Sequence, residues 1–488
     1  MNSIYDLPLF ITNELSSGPY GPEITAKINQ IHQRYEVYQL GADFNIPYDE
    51  DTDIDIDDMT LIKSKNVKQL IDKQATFMFG RTPDIKINCE GGDVGCDNQS
   101  DMQNYLNKVL KKNNFAAKLL RGSRDCFIGG RVFVKANIQP EKITLAFIPA
   151  DEFIYETEPD DVDTLKRVIL FYCVTDSQDK SEQRWWRQRY RMDNGHCYVI
   201  EDLYDGWGTK IEGYGTPERD TGLDRIPGVV ILNEGLSGDV EGESDVDLLW
   251  DEDRFYNEMR SRSGESLKKN MDPLVYIMGA SPKSFKGLNR RPGAVNDIEA
   301  DPVLKGTLPN IGQLENGFSF ESAYEKAISN SLDNMHQNLG IPDVSAASQK
   351  GLITSGKGMK TLYWELITRC DGKLATWKPA LEYIAELIID AANIFPELKK
   401  VYGDFDEEEY TVTVENKYAL PEDEDSEREL DMQEVSSGTR SIKSYLMKWG
   451  GPDYQGMTQE QADLEIEQIV KEKRMMEDSY FSEDTAGD

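Results

Sequence analysis

Residues 322–395 read SAYEKAISNSLDNMHQNLGIPDVSAASQKGLITSGKGMKTLYWELITRCDGKLATWKPALEYIAELIIDAANIF. This stretch reads as two helices joined by a polar loop. In the first, Ser322 to Leu339, the residues Tyr324, Ile328, Ser331, Leu332, Met335 and Leu339 recur at spacings of three and four and form one apolar face. Ser322 and Glu325 have capping-box spacing, and Gly340 followed by Pro342 stops the helix. The loop is small and polar. Beyond it, Met359, Leu362, Leu366, Cys370, Trp377, Leu381, Ile384, Ile388, Ala391 and Phe395 keep one apolar seam almost without a gap. At ~1.5 Å per residue that helix could reach roughly 60 Å, with Gly372 inside it and Pro379 expected to kink it. A rod of that length suits a large oligomer better than a small domain.

Upstream, Ser244 to Met271 reads as another helix: Ser244 and Asp247 suggest a capping box, and Leu249, Tyr256, Met259, Leu267 and Met271 line one side. Between the two helices, residues 274–320 are rich in proline and glycine. Strand candidates there are Leu274 to Met278 and Ala294 to Ile298. If the flanking helices pack antiparallel, the ends of this insert lie close together.

The front of the chain is mixed. A helix is expected over Pro22 to Tyr38, with Ile24, Ile28, Ile31 and Tyr35 as its stripe, and another over Leu61 to Phe79. A strand at Asp84 to Ile87, helices at Gln99 to Lys111 and Asn113 to Asp125, and a hairpin of Arg131 to Ile138 with Ile143 to Ile148 follow. Leu165 to Val174 is a strand, and Asp193-Asn194-Gly195 marks a hairpin between Arg184 to Met192 and His196 to Tyr204. Residues 60–235 therefore form an α+β region with an antiparallel meander. After the long helix come a strand at Tyr410 to Val414 and helices near Glu427 to Val435, Thr439 to Lys448 and Gln459 to Arg474. The tail is acidic and expected to be disordered.

At 488 residues the chain is too long for one ordinary core, so two to four domains are expected. No apolar run approaches the roughly 18 residues of a membrane span, and MNSIYDLPLF lacks the pattern of a secretory signal. The six cysteines show no paired spacing, which points to free thiols in a reducing compartment. A net charge of −35 repels nucleic acid, so any DNA contact is sparse or transient and a sequence-specific binder is disfavoured.

Four motifs invite a chemical reading and each has a plainer one. Asp51, Asp53 and Asp55 brush against a calcium loop, but Ile56 replaces its glycine and Ile62 its bidentate glutamate, so a solvated acidic loop is preferred. Gly351 to Gly358 has the G-x-x-x-x-G-K frame of a phosphate loop, yet Gly358 stands where a hydroxyl should ligate magnesium and no buried strand precedes it. A nucleotide-binding motor is thus the weaker alternative, and an oligomeric capsid or tail scaffold that never meets DNA is a third. RWWRQRYR, Arg184 to Arg191, alternates so that Trp185, Arg187, Arg189 and Arg191 share an outer face, whose arginines would meet carboxylates of a neighbouring copy. The three histidines, His32, His196 and His336, lie far apart, and no catalytic or metal motif is present.

The order of these parts resembles the portal proteins of tailed bacteriophages, of the siphophage type. The resemblance is carried by NVKQLIDKQATFMFGRTP at Asn66 to Pro83, by RIPGVVILN at Arg225 to Asn233, by the helix Ser244 to Met271, and by Gly340 to Lys373, where S-G-x-x-M-K leads into the long helix. It covers roughly residues 60–475. It implies a homo-oligomeric ring, usually of twelve subunits, at one capsid vertex of the virion, assembled in the host cytoplasm. It implies an N-terminal arm (1–59), a β-rich wing (60–241 and 358–420), a two-helix stem (242–272 and 321–341), a clip (273–320), a tunnel loop (342–357), a helical crown (421–475) and an acidic tail (476–488). Double-stranded DNA would pass through the channel non-specifically, past Ser345, Ser348, Gln349, Lys350, Thr354, Ser355 and Lys357 of the tunnel loop. The clip, with Leu274, Val275, Ile277, Phe285 and Leu288, would meet the terminase large subunit and the head–tail connector; major capsid and scaffolding proteins are further partners. The family implies no enzyme activity, cofactor, metal or membrane.

Overall fold

The computed structural model describes residues 24–44, 61–89, 97–175, 179–271, 274–281, 299–301, 303, 308–314, 321–343, 360–406, 409–418, 424–450, 456–457, 459 and 461–471. The acidic loop 49–58, the strand expected at 294–298, the phosphate-loop-like 351–358 and the tail lie outside them. In chain order the elements are α1 (Ile24–Leu40), α2 (Asn66–Phe79), β1 (Asp84–Cys89), α3 (Asp97–Lys112), α4 (Phe115–Gly129), β2 (Arg131–Gln139), β3 (Lys142–Pro149), β4 (Phe153–Glu158), β5 (Asp161–Cys173), β6 (Arg184–Asp193), β7 (His196–Asp205), β8 (Thr216–Asp220) and β9 (Gly228–Leu232). There follow α5 (Trp250–Met271), β10 (Leu274–Met278), β11 (Asn310–Leu314), α6 (Glu321–Asn338), α7 (Trp364–Ile394), α8 (Glu397–Tyr402), β12 (Tyr410–Glu415), α9 (Glu424–Ser436) and α10 (Ile442–Trp449). The fold is mixed helix and antiparallel sheet, as the sequence reading of α+β requires.

Contacts divide the chain into two compact units, residues 1–343 with 363–419, and residues 344–362 with 420–488. The first holds every strand. β4 to β8 run as a five-stranded meander, β3-β2-β9 form a second sheet, and β1 pairs with β12 so that Asp84 faces Glu415 across more than 300 residues of chain. The hairpin between β6 and β7 has the expected two-residue turn, because Asn194 and Gly195 both take positive φ (51° and 81°) and so match the twist of the flanking strands. Strands β4, β8, β9 and β11 were not anticipated.

The meander is buried on both faces, which corrects the expected charged outer face of β6. On one side Ile24 and Ile28 of α1 pack with Ile154, Ile169, Phe171, Trp185 and Tyr204. On the other, Phe153, Tyr155, Val168, Leu170, Tyr190 and Val199 pack with Phe133 of the second sheet. Arg187 is consequently buried, and its guanidinium donates to Asp202 of the same chain at 2.5 Å, with Lys210 on the other oxygen at 2.5 Å. Arg191 pairs with Glu218 at 2.7 Å and Asp193 at 3.0 Å. These arginines therefore meet carboxylates of their own chain, not those expected of a neighbour. Polar contacts fix α1 across the sheet: Arg34 donates to Asp247 at 3.0 Å, Tyr35 to Asp125 at 3.1 Å, and His32 meets Asp151 at 3.2 Å.

Three helix starts also differ. α2 opens at Asn66, not near Leu61, because residues 61–65 are held extended: Ser261 Oγ accepts the Ile62 N–H at 2.8 Å and Asn257 Oδ1 accepts the Ser64 N–H at 2.7 Å. α5 opens at Trp250, and Ser244 donates instead to the Ile128 carbonyl at 2.6 Å while accepting the Val246 N–H at 3.1 Å, so it closes a turn instead of capping a helix. α6 begins at Glu321, which places Ser322 inside the helix rather than ahead of it. The C-terminal expectation for α6 holds: Gly340 has φ +64°, its N–H reaches the Gln337 carbonyl at 3.0 Å, and the Ile341 N–H reaches the His336 carbonyl at 2.9 Å. α7 spans 31 residues, about 46 Å, with Pro379 inside it; a short helical stretch at 360–362 precedes it, broken at Tyr363. Leu366, Cys370, Leu374, Trp377, Leu381, Ile384, Ile388 and Ala391 bury the seam.

In the second unit Ser441 caps α10 by accepting the Ser444 N–H at 3.1 Å. Asp431 of α9 ties the two helices by accepting from Lys448 at 2.9 Å and Trp449 Nε1 at 2.6 Å, and also from Arg440. Lys443 pairs with Asp463 of the helical stretch 461–471 at 2.7 Å.

The staple on α5 titrates. Asp253 is fully buried and its Oδ2 accepts the Ala42 N–H at 2.8 Å and the Asn257 amide at 2.9 Å. Burial pushes the carboxyl up to about 6, against the pull of these donors. The unfolded group titrates near 3.8, so its contribution to stability is full below that value and is lost as pH rises to about 6. Going from pH 7 to pH 5 should therefore stabilise the natural protein by about 1 kcal/mol relative to Asp253→Asn. Urea midpoints of the two proteins at both pH values check this; an unchanged gap between them would refute it.

Candidate functional site

The helix pair that brackets the insert is the feature with no purpose inside one globular core. α5 and α6 run antiparallel: Asn338 donates to the Leu248 carbonyl at 2.9 Å, while Asn334 and Ser331 donate to the Glu252 carboxylate at 3.0 and 2.7 Å. The insert between them closes as expected, since β10 and β11 pair antiparallel with Leu274 opposite Leu314 and Met278 opposite Asn310. Gly312 faces Tyr276 so closely that any Cβ there would collide with the ring. A bridge of Ala280 to Ala300 extends the hairpin, with the Ser281 N–H on the Glu299 carbonyl at 2.9 Å.

The apolar seam anticipated on α5 is only half covered. Leu249, just ahead of the helix, is fully buried, Tyr256 and Met259 are half-buried, but Leu267 is 51% and Met271 75% exposed, so the apolar side chains toward the hairpin lack cover among the described residues. Of the residues expected in the clip, Leu274, Val275 and Ile277 share strand β10, with Ile277 half-buried opposite Ile311, whereas Phe285 and Leu288 lie outside the described residues. All seven expected channel residues, Ser345, Ser348, Gln349, Lys350, Thr354, Ser355 and Lys357, also lie outside them. The described chain breaks off after Asp343 and resumes at Lys360.

The helix pair is rooted in a buried ionic hub that sequence reading missed. Lys373 of α7 is fully buried; its ammonium donates to Asn233 Oδ1 at 2.5 Å and Asp245 Oδ1 at 2.9 Å and sits 4.7 Å from the Phe127 ring centroid. Asp245 Oδ1 also accepts from Arg369 at 2.9 Å and Asn233 Nδ2 at 3.1 Å, while its Oδ2 accepts from Gln74 at 2.8 Å. Burial alone would push the Asp245 carboxyl up, but Lys373 and Arg369 outweigh it and hold the group below the ordinary carboxylate range. The signal was present in the sequence: Lys373 stands beside Leu374 on the apolar seam of α7, between Cys370 and Trp377, where a lysine is out of place unless it is paired.

No group of three or more His, Cys, Asp or Glu side chains is placed among the described residues to hold a metal ion. Burial pushes the Cys197 thiol up to about 11 and the Cys370 thiol up to about 12, which disfavours their thiolates. No described helix is long and apolar enough to cross a membrane.

Residues 321–478, from α6 through α7 to beyond α10, match a family described as phage portal protein, SPP1 Gp6-like. The match supports a tailed-phage portal protein. No curated protein matches the chain. The hub fixes the root of the helix pair to the long helix α7.

Lys373→Met should lower stability by about 3–5 kcal/mol, because it removes the fully buried cation of the pair and leaves the buried Asp245 charge to Arg369. Adding Asp245→Asn to that variant should recover part of the loss. Denaturant unfolding of the two single variants and the double variant measures this coupling, and strictly additive costs would show that the pair is not a unit.

Proposed function

We propose that the chain is the subunit of a portal ring, usually of twelve copies, that forms the channel through which double-stranded DNA is packaged into the capsid and later ejected. The observation that carries this reading is the family match over α6, the following segment and α7. In this reading α5 and α6 are the stem, residues 273–320 the clip, the sheets with α7 the wing, and α9 and α10 belong to the crown. The exposed Phe255, Leu267 and Met271 of α5 support it, as they are the surface that neighbouring stems would cover. So does the isolated β10–β11 pair, since a two-stranded hairpin is marginal alone and gains from pairing around a ring. The clip, with Leu274, Val275, Ile277, Phe285 and Leu288, would dock the terminase large subunit and then the head–tail connector.

Negative-stain imaging of purified protein across a range of salt should reveal rings, and removing residues 274–320 behind a short linker should weaken ring closure while sparing the larger sheets. Monomers under every condition would overturn the reading, and undiminished rings without the insert would overturn the role given to the clip.

The loop 342–357 would line the channel at its narrowest point. Lysine suits a moving polyanion, because its ammonium is a mobile point charge without the bidentate grip of arginine, and each contact is weak and screened by salt. Lys350→Glu combined with Lys357→Glu should leave rings intact and reduce packaged DNA, whereas changing both to Ala should do less. Particles of the double Glu variant with normal DNA content would exclude a loop contact with DNA.

A further inference from the structure

The strongest concentration of unspent positive charge lies far along the chain from the helix pair. Residues 102–124, MQNYLNKVLKKNNFAAKLLRGSR, contain six Lys or Arg and no Asp or Glu, in a chain whose net charge is −35. α3 and the start of α4 carry this run and, with β1, enclose a cleft of about 990 Å³. Two of the six cations are spent locally. Arg124 pairs with Asp72 at 2.9 Å, and Lys118 turns inward to donate to the Leu145 carbonyl at 2.5 Å. Lys112 lies over the Tyr402 ring at 4.4 Å and stays exposed. Lys108, Lys111 and Arg121 are exposed, and no carboxylate meets them among the described residues.

The cleft lining adds further donors beside small apolar side chains such as Ala116 and Ala117. Asn107 and Asn114 are exposed beside these cations, and the cleft's one acid, Asp84, is neutralised by Lys417 at 3.2 Å. No large apolar side chain is exposed among the described residues between Leu61 and Val162. That absence discriminates between partners. A stable protein interface is anchored by buried aromatic or aliphatic side chains, which this face lacks. Phosphate contacts need only Lys, Arg, Asn and similar donors.

We infer that Lys111 and Arg121 on the cleft, with Lys108 one turn before Lys111 on α3, bind the phosphate backbone of duplex DNA without sequence preference, through charge neutralisation alone. The inference does not depend on the portal reading: a chain that formed no ring could still bind a duplex through this face, and a ring could form without it.

Full-length protein titrated against a labelled duplex of random sequence, by fluorescence anisotropy between 50 and 200 mM salt, tests it. The slope of log affinity against log salt should be shallower by roughly 2 to 3 in the triple variant Lys108→Ala, Lys111→Ala, Arg121→Ala, since each lost phosphate contact removes about 0.9. Affinity at the lowest salt should fall by about tenfold or more. Lys166→Ala with Lys180→Ala, exposed positions in and beside the five-stranded meander, should leave both quantities unchanged. Failure of the natural protein to bind duplex at 50 mM salt, or equal binding by the triple variant, would overturn the inference. A triple variant that binds DNA normally but loses self-association would overturn it in favour of contact with an acidic neighbouring copy.

Discussion

A lysine ammonium with no access to water must be neutralised, and this constraint organises the first unit. Lys373 projects from the middle of α7 into a space bounded by Phe127 of α4, Asn233 after β9, and Asp245 before α5. Removing one member of such a pair typically costs about 3–5 kcal/mol, a large part of a domain's net stability, because the partner is left charged in low dielectric. Replacing the whole set by well-packed apolar side chains would often be neutral. The hub therefore gives more to geometry than to net stability. Asp245 takes donors from α2, α7 and the end of β9, and each additional donor removes one alternative way to seat the chain ahead of α5. An apolar contact would tolerate sliding; a carboxylate that accepts from Gln74, Asn233, Arg369 and Lys373 does not.

The same chain spends its cations in distinct ways. Arg187, Arg369 and Lys373 are desolvated and paired, where their interactions are scarcely screened by salt. Lys108, Lys111 and Arg121 are exposed and meet no carboxylate among the described residues, and there attraction extends about 10 Å in 0.1 M salt and shortens at higher ionic strength. Against an average field set by −35 charges, only a local run without carboxylates can present a positive face. Acidic walls with a few separated cationic faces would let a duplex slide by, and this is the electrostatic requirement of the proposed conduit.

Much of this was legible in the sequence where the rule is local. The α7 seam, the Gly340 stop, the Asn194-Gly195 turn and the strand Leu274 to Met278 each depend on residues within a few positions of one another. What was illegible is non-local. The inward turn of Trp185 and Arg187 depends on α1, more than 140 residues earlier, covering a face that alternation alone assigns to solvent. β8, TPERD, has four exposed residues in five and no apolar pattern to read. The late start of α2 depends on Asn257 and Ser261, and the polar set Asp253, Asn257 and Ser261 at four-residue spacing was the available clue. The loop that would touch DNA lies outside the described residues, so its reading rests on composition and on the family.

The helix pair carries the last step. α5 exposes Leu267 and Met271 toward a hairpin of two strands, and such a hairpin has too little buried surface to hold its own register. Fully burying one such side chain contributes about 1.5–3 kcal/mol, so two per subunit is comparable to the marginal stability of the element itself. In the proposed ring, order in the stem and clip and association of the copies are then a single equilibrium, dependent on protein concentration. The hub at Lys373 lies at the opposite end of α5, where the helix is already anchored within one subunit. Anchored at the root and incomplete at the tip, the helix pair can be presented by a lone copy in roughly the right direction and finished only by its neighbours.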